Sequence, residues 1–554
     1  MFKLKVVSSL EKLFVDQKID EFEPLTKLSV LRGERFSFQL AYTFDSSDGT
    51  RLHAAARPTL DFSGELFEYS NMRLVQSIPV SKPINNAGTD DNYLRTTPGI
   101  YPDVLVPARY NGSFSVAMDI LSSAWFEFTL PKDVKAGEYE LKIHASETLI
   151  GEAEATVKIE VIDAVLPDED IYVTQWFHAD CLANYYNVEV WSDRHWQIVE
   201  NFAKVARKNG INLLLTPVFT PPLDTAVGGE RRTTQLVGVK KTRKGYKFDF
   251  TRVGRWIEMC DRCGIEYFEI SHLFTQWGAA HAPKIVATVD GEEKKIFGWD
   301  TDSTGAEYTA FIRQFLTEFL AYMKKGGNDK RCVFHISDEP SLDHLEKYKA
   351  ARDSIADLIS GYLTIDALSK IDFYKTGAIE HPVPANNHIA PFIEAGVKDL
   401  WTYYCVSQPI NVSNRYVSMP LWRTRSMGMQ MYKYNIVGFL HWGYNFYNDQ
   451  FSVDPINPYL ITAADLTFPA GDSFSVYPAC DGTAYESIRI IAFHEGLTDI
   501  KAMKLCEKYY GHDAVVAAIE EELGCEMTFE TCAKSSKTMH SIRERINSMI
   551  KAKI

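Results

Sequence analysis

The pattern of apolar residues changes near residue 168, and this change constrains the fold of the 554-residue chain more than any other feature. Before it, segments such as RFSFQLAYTF and AWFEFTL alternate apolar and polar residues, as half-buried β-strands do, and are separated by Gly, Pro, Asn and Asp turns. After it, short apolar runs alternate with longer segments of helical period, and two of these helices end at Gly210 and Gly264. The chain is therefore predicted to contain two architectures in series.

The two patterns predict an antiparallel β-sandwich over residues 1–166 and a (β/α)8 barrel over residues 167–496. The second part holds about seven or eight βα units, and no glycine-rich phosphate loop follows its first strand, which disfavours a doubly wound sheet. Residues 497–554 have a helical period and are predicted to form a C-terminal helical extension packed on the barrel. The predicted fold class is multidomain β plus α/β with a TIM-like barrel.

Charge and composition argue against several kinds of partner. The formal net charge is −14 and is spread along the chain, while basic runs such as Lys240–Lys247 are short, so nucleic acid is not an expected partner. No window approaches about 18 consecutive apolar residues, and the N-terminal segment lacks the apolar run of a signal peptide, so no membrane span is expected. Nine cysteines at irregular spacing fit a reducing compartment, and the expected location is cytoplasmic.

Two adjacent carboxylates, Asp338 and Glu339, follow the apolar run RCVFHIS where a barrel strand is predicted to end. Functional residues of parallel barrels lie at the carboxyl ends of the strands, and a chain that turns there can aim both side chains at one cavity. The alternative is a helix start, with one carboxylate as the cap and Pro340 at the first helical position, which leaves the second carboxylate unexplained. Two carboxylates held close titrate apart, as glycoside cleavage requires of its acid and its anion.

The segment HISDEPSLDHLEKY resembles the Asp-Glu segment of glycoside hydrolase family 123, and the wider chain resembles the related glycosidase-like domain of unknown function 4091. LWTYYCVSQP, VGFLHWGYNFY and the stretch Pro469–Glu507 are similar to further segments of this family, which also has a β-sandwich before its barrel. The resemblance implies an exo-acting, retaining β-N-acetylgalactosaminidase or hexosaminidase whose substrate supplies its own 2-acetamido group as nucleophile. Carried over, Asp338 would hold the acetamido N–H as an anion, and Glu339 would be general acid and then base.

Other predicted strand ends supply side chains for a carbohydrate substrate. Strand-end position and motif similarity assign Tyr403 to the acetamido oxygen and Trp442 to the face of the sugar. Each of the remaining candidates, taken singly, is more often a hydrogen-bonded core or loop residue, but interleaved aromatic and polar groups favour sugar recognition. These further predicted substrate-binding residues are His178, Asp180, His272, Trp277, His281 and Tyr444.

No metal site and no cofactor are expected. The histidines lack H-x-H and H-E-x-x-H spacing, and the C-x-x-C pair Cys260 and Cys263 lies in a helical pattern without a second pair. The sequence also contains no nucleophile elbow and no Walker loop, so neither acyl nor phosphoryl transfer is expected.

Further acids lie in predicted loops. The segment Leu223–Asp249 is longer than a barrel loop needs and is predicted to be a lid or subsite wall, from which Asp224 and Arg231 could reach substrate; a solvated loop is the alternative. Asp454 and Asp472 are interpreted first as turn and cap residues.

Two other functions remain open from the sequence. One is a carbohydrate-binding protein that keeps the glycosidase barrel without cleaving, and the other is a glycosidase for sugars that lack a 2-acetamido group. The geometry of the site tests acetamido-assisted cleavage, which requires both carboxylates to face one cavity with room for the acetamido methyl. Calorimetry that shows sugar binding without turnover would favour the binding protein.

Overall fold

The N-terminal region of the computed structural model, which describes residues 1–108 and 112–554, consists of two packed β-sheets. One sheet has the order β1-β3-β7-β5-β6 and is antiparallel throughout, and the other has the order β2-β9-β8-β4. Its strands are β1 (Phe2–Ser8), β2 (Lys27–Arg32), β3 (Arg35–Phe44), β4 (Thr59–Ser63), β5 (Ser70–Val80), β6 (Gly99–Pro107), β7 (Ser122–Thr129), β8 (Gly137–Glu147) and β9 (Gly151–Val165).

The sandwich core follows from the alternation in its strands. Leu141 and Ile143 of β8 pair with Val157 and Ala155 of β9 on the buried side of the sheet, while the residues between them are more exposed. One pair departs from the antiparallel prediction, because β2 runs parallel to β9. These two strands are far apart in the sequence of the domain, so no local turn signal fixes their relative direction.

The rest of the chain alternates strands and helices. The strands are β10 (Tyr172–Gln175), β11 (Leu213–Thr216), β12 (Gly238–Thr242), β13 (Gly245–Asp249), β14 (Tyr267–Ile270), β15 (Ile285–Val289), β16 (Glu292–Phe297), β17 (Cys332–Phe334), β18 (Leu363–Ala367), β19 (His381–Val383), β20 (Trp401–Tyr403), β21 (Gly438–His441), β22 (Val476–Pro478) and β23 (Ala484–Glu486). The helices are α1 (Ala179–Tyr185), α2 (Asp193–Lys208), α3 (Thr251–Cys263), α4 (Ala306–Lys325), α5 (Leu345–Asp353), α6 (Ala356–Ile359), α7 (Asp372–Lys375), α8 (Ala390–Glu394), α9 (Leu421–Lys433), α10 (Ile488–Tyr510), α11 (His512–Leu523) and α12 (Ser536–Lys551).

Eight parallel strands form the barrel, in the order β19-β18-β17-β14-β11-β10-β21-β20. The Tyr403 N–H donates to the Pro384 carbonyl at 3.1 Å and joins β20 to the end of β19, which closes the sheet. Gly438 in β21 is required by packing, because a Cβ there would lie 2.1 Å from the Trp401 ring. This arrangement confirms the predicted fold class of a sandwich followed by a TIM-like barrel.

The long segment after β11 is more ordered than the loop that the sequence predicts. Its second half forms the hairpin β12–β13, which joins β15 and β16 in a separate four-stranded sheet. Leu236 and Val237 are fully buried at its start. The segment therefore packs beside the barrel as an ordered wall, because its apolar residues are buried rather than solvated.

The C-terminal helices are joined to the barrel without a break. Helix α10 runs through the predicted boundary between residues 496 and 497 and packs on α9, where a Cβ at Gly428 would lie 2.1 Å from the Gly496 carbonyl oxygen. Helix α12 packs on β2 and β9 of the sandwich. Within residues 1–108 and 112–554, no helix is long and apolar enough to cross a membrane.

A fully buried ion pair holds the sandwich to α10. The Arg489 guanidinium donates to both carboxylate oxygens of Asp103, at 2.8 and 2.9 Å, and the Tyr477 hydroxyl donates to the same carboxylate at 2.5 Å. Because neither charged side chain reaches solvent, each depends on the other to offset the cost of its burial.

Replacement of Asp103 by Ala is expected to lower the free energy of unfolding by about 3–5 kcal/mol, because it leaves the Arg489 charge buried without its partner. Denaturant unfolding measures the change. The matched control is Glu307→Ala, which removes an exposed pair with Lys241 and is expected to cost less than about 1 kcal/mol. Equal effects of the two substitutions would contradict this assignment.

Candidate active site

A cavity of about 630 Å³, its open mouth included, lies at the carboxyl ends of the barrel strands. Its walls are mostly apolar and aromatic with a few polar groups, as in sites for small molecules. The lining residues are Trp176, Leu223, Asp224, Gln276, Trp277, Asp338, Glu339, Ala367, Tyr403, Cys405, Val406, Leu440, Trp442 and Phe468.

Asp338 and Glu339 both line this cavity, although neighbours in an extended strand point to opposite faces. The backbone of Glu339 explains this, because its φ of 43° is in the left-handed region and turns the chain just after β17. Backbone hydrogen bonds hold the turn: Trp277 N–H donates to the Asp338 carbonyl at 2.8 Å, and Glu339 N–H donates to the Ala367 carbonyl at 3.0 Å. The helix-start alternative does not hold, since helical backbone begins only with a 3-10 turn at Leu342–His344, whose N-cap is Ser341, and continues into α5 at Leu345.

The two carboxylates are electrostatically coupled. Burial and the neighbouring charge of Glu339 raise the pKa of Asp338 well above its ordinary value, while the charge of His335 acts in the opposite direction. The protein environment of Asp338 therefore favours its protonated form, whereas the sequence analysis expects this residue to be the anion.

Tyr403 is in direct contact with the pair. Its hydroxyl donates to Glu339 Oε1 at 2.7 Å, and burial together with the Glu339 charge raises the pKa of Tyr403 well above its ordinary value. The phenol therefore stays protonated and acts as a hydrogen-bond donor inside the cavity.

Trp442 forms part of the wall and is held by a buried acid. Its indole Nε1–H donates to Asp472 Oδ2 at 2.9 Å, and burial raises the pKa of Asp472 to about 7. Asp472 was interpreted from the sequence as a turn or cap residue, whereas the structure gives it the role of fixing the plane of an aromatic wall. Asp454, by contrast, is exposed in a loop.

Of the other predicted substrate-binding residues, Trp277 lines the cavity, whereas His178 and Asp180 lie behind its wall. Arg231 forms two hydrogen bonds with the Asp180 carboxylate, at 2.7 and 2.8 Å, and donates to His178 Nδ1 at 3.1 Å. The His178 Nε2–H in turn donates to the Trp442 carbonyl at 2.9 Å. The structure therefore places these residues in a buried network that supports the Trp442 backbone.

Three further candidates also lie outside the cavity lining. His272 is buried with its ring stacked on His335, at 4.3 Å between ring centres. His281 lies in the loop before β15, against the edge of Trp299. Tyr444 is fully buried and its hydroxyl donates to the Phe202 carbonyl at 2.9 Å. His272 and Tyr444 follow barrel strands, but their side chains are buried in the core, and His281 is half-buried in its loop.

The cavity also contains Trp176 and Gln276, which the sequence analysis does not name as candidates, and Asp224, which it names as a loop residue able to reach substrate. Trp176 directly follows β10, so the strand-end rule could have identified it. Asp224 reaches the cavity from the long segment, its Oδ2 accepts from the Phe451 N–H at 3.0 Å, and burial raises its pKa to about 6. Gln276 fixes this loop, since its Oε1 accepts from the Asp224 N–H at 2.7 Å.

One cluster has the donors of a metal site. Ligand atoms of His272, His335 and Asp366 lie within 4.8 Å of one another, and all three residues are buried. Both nitrogens of His335 already face carboxylate oxygens, at 2.6 Å from Glu269 and 3.3 Å from Asp366. A histidine ring that donates a hydrogen bond from both nitrogens has no free lone pair for a metal ion. His335 is therefore better suited to carry a second proton than to bind a metal.

Residues 176–506 match the family model described as glycoside hydrolase 123, catalytic domain, which spans more than half of the chain. Among solved structures, the chain is similar to a family 123 glycoside hydrolase from Clostridium perfringens studied for glycolipid glycan hydrolysis, with 16% identity and a TM-score of 0.74 over 100% of this chain and 98% of that one. A putative glycoside hydrolase from Bacteroides vulgatus aligns at 10% identity and a TM-score of 0.27, over 78% of this chain and 76% of that one. No curated protein matches the chain.

The left-handed backbone at Glu339 gives a test of stability. Glu339→Gly is expected to be more stable than Glu339→Ala by about 1 kcal/mol, because glycine adopts a positive φ without the clash of a Cβ. Denaturant unfolding of the two variants isolates the backbone, since both lack the carboxylate. An alanine variant as stable as the glycine variant would show that the turn is not strained.

Proposed function

The chain belongs to glycoside hydrolase family 123, and we propose that it is an exo-acting, retaining β-N-acetylgalactosaminidase or hexosaminidase that uses the 2-acetamido group of its substrate as the nucleophile. The proposal rests on one observation: two carboxylates adjacent in sequence, Asp338 and Glu339, line one cavity together with the Tyr403 hydroxyl. A glycosidase with its own nucleophile needs two carboxyl groups about 5 Å apart on opposite sides of the bond, which successive residues are poorly suited to provide.

The proposed first step divides the work between the two carboxylates. Asp338 accepts the acetamido N–H and stabilises the positive charge that develops as the acetamido oxygen attacks the anomeric carbon. Glu339 donates its proton to the glycosidic oxygen, so the bond to the aglycone breaks and the aglycone leaves as the alcohol. In the second step Glu339 takes a proton from water, the water oxygen bonds to the anomeric carbon, and the acetamido group is restored.

The raised pKa of Asp338 fits this division once substrate is considered. A hydrogen bond from the acetamido N–H favours the carboxylate form of Asp338, and in a coupled pair the shared proton then passes to its neighbour. Glu339 becomes the acid at the moment when an acid is needed. When Glu339 holds the proton, the Tyr403 hydroxyl is available to donate to the acetamido oxygen instead.

The walls of the cavity suit the substrate. Trp176 and Trp442 offer aromatic surfaces of the kind that pack on sugar faces, and Ala367, Cys405 and Leu440 offer a small apolar surface beside the pair. This surface is suited to the acetamido methyl. Asp224 provides a carboxylate for sugar hydroxyls.

The mouth of the cavity is apolar, which bears on the aglycone. Trp277, which lines the cavity, meets Phe451 edge to face at 6.1 Å, and each side chain has 37% of its surface exposed. Exposed apolar groups beside a sugar site favour an apolar aglycone. Together with the glycolipid glycan hydrolysis described for the Clostridium perfringens protein, this makes glycolipids the aglycone class that we propose to test first.

Glu339→Gln and Asp338→Asn are each expected to lower kcat/KM on aryl N-acetyl-β-hexosaminides by about 100-fold or more, because one loses the acid and the other loses the anion. Aryl aglycones differ in how much they need a proton to leave. A substrate whose aryl group leaves without protonation should restore much of the rate to Glu339→Gln and little to Asp338→Asn. Initial rates with aryl groups that do and do not need protonation measure this. Asp454→Asn, in an exposed loop, is the control. Full turnover by both cavity variants would disprove the assigned roles.

A panel of sugars tests the nucleophile. Substrates with a 2-hydroxyl in place of the acetamido group are expected to react at least about 100-fold more slowly, since they lack the attacking oxygen. Fluorination of the acetamido methyl is expected to slow turnover with each added fluorine, and a thiazoline that mimics the oxazolinium is expected to inhibit. Equal rates on 2-hydroxy sugars would favour a glycosidase of another mechanism, and calorimetric binding without turnover of any sugar would favour a binding protein.

A further inference from the structure

A buried histidine lies beneath the catalytic pair with a carboxylate on each ring nitrogen. His335 follows β17 directly and is 0% exposed. Its Nε2 lies 2.6 Å from Glu269 Oε1, and its Nδ1 lies 3.3 Å from Asp366 Oδ1. Glu269 comes from the neighbouring strand β14 and Asp366 from the other neighbour, β18, so three adjacent barrel strands build the cluster.

This arrangement determines the charge of the ring. A neutral imidazole donates from only one nitrogen, so hydrogen bonds from the ring to both flanking carboxylates require the doubly protonated form. Burial by itself would lower the pKa of His335, but the hydrogen bonds with Asp366 and Glu269 outweigh it and raise the pKa to about 9. His335 is therefore a cation throughout the neutral range.

The two carboxylates connect this cation to the cavity. Asp366 Oδ1 accepts from the backbone N–H groups of Ile336, at 3.0 Å, and Ser337, at 3.3 Å, which are the residues that lead into Asp338. Glu269 Oε1 accepts from the indole Nε1–H of Trp176, at 2.8 Å, and so fixes a wall of the cavity.

We propose that His335, held between Glu269 and Asp366, is a positioning residue that supplies a fixed positive charge beneath Asp338 and Glu339. The inference rests on the proposed roles of these two carboxylates. The acetamido mechanism needs an anion at Asp338, while the burial of that residue and the charge of Glu339 both favour its protonated form. The charge of His335 favours the ionised form of Asp338 and so offsets part of this cost, against the opposing charge of Asp366, without occupying the cavity.

The surroundings of His335 limit the alternatives. The charged or titratable groups that face it or its partners are Glu269, Asp366, Asp338, the Tyr348 hydroxyl, which donates to Asp366 at 2.5 Å, and His272. Burial lowers the pKa of His272 well below its ordinary value, and neither of its nitrogens has a hydrogen-bond partner. The stacked His272 ring is therefore neutral, and the cationic charge lies on His335.

The first test is the pH dependence of kcat/KM in His335→Gln. Loss of the cation disfavours ionisation of the pair, so both limbs of the profile are expected to move to higher pH by about one unit. His272→Gln is the matched control, because it removes an equally buried but neutral ring and should leave both limbs in place. A His335→Gln profile with unshifted limbs, or with changes in KM alone, would overturn the proposal.

The second test uses the native protein and does not depend on activity. With nitrogen-15 in the histidine rings, NMR is expected to show a ring protonated on both nitrogens at about pH 8, where an ordinary histidine has lost its second proton. The absence of such a ring would overturn the proposal, as would a stoichiometric metal ion retained by the purified protein, because a metal-bound nitrogen carries no proton. Full activity of Asp338→Asn would instead refute the proposed function, and the imidazolium signal would be unaffected by that result.

The same ring links pH to stability. A histidine whose folded pKa is raised from 6.5 to about 9 stabilises the fold fully below about pH 6.5 and loses that contribution as the pH rises through about 9. The native protein is therefore expected to lose unfolding free energy over this window, and His335→Gln is expected to lack this component of the loss. Urea unfolding at several pH values measures the difference, and parallel curves for the two proteins would count against the charged ring.

Discussion

Two carboxylates held side by side in a buried cavity repel each other and lose the solvation of water, and much of the surrounding structure offsets this cost. The left-handed turn at Glu339 brings both side chains to one side of the barrel. Tyr403 donates to the Glu339 carboxylate, and the charge of His335 acts on Asp338. A site with these features combines a strained backbone with a supporting charge, as expected where function competes with local stability.

The scaffold around this site is fixed by further buried charges. Besides the Arg489–Asp103 pair, Arg425 binds Asp499 on α10, and Arg543 on α12 donates to Asp499 at 2.9 Å and to Glu34 of the sandwich at 2.6 Å. These bonds connect the barrel, the sandwich and the C-terminal helices. Such buried networks add little to the free energy of unfolding compared with apolar residues packed in their place, but removal of one partner is costly. They therefore define how the three parts fit together.

The fold, and the position of Asp338 and Glu339 at the end of a barrel strand, could be predicted because their signals are local. The period of apolar residues changes from two to about 3.6 where the sandwich gives way to the barrel, and the Asp338–Glu339 pair follows an apolar strand directly. The supporting residues were less predictable. His178, Asp180 and Tyr444 also follow strands, but their side chains point behind the cavity wall. A strand end gives position, whereas the direction of a side chain depends on the turn that follows.

By itself, the sequence determined the order of the two architectures, the family to which the chain belongs and the identity of the paired carboxylates. Each of these depends on residues that are close together along the chain. Only the tertiary structure decided that Asp472 holds Trp442, that Asp224 reaches the cavity, and that His335 lies between Glu269 and Asp366. These contacts join strands and loops far apart in sequence. They exist because the closed barrel brings the carboxyl ends of its strands together, and no short-range pattern records which side chains meet there.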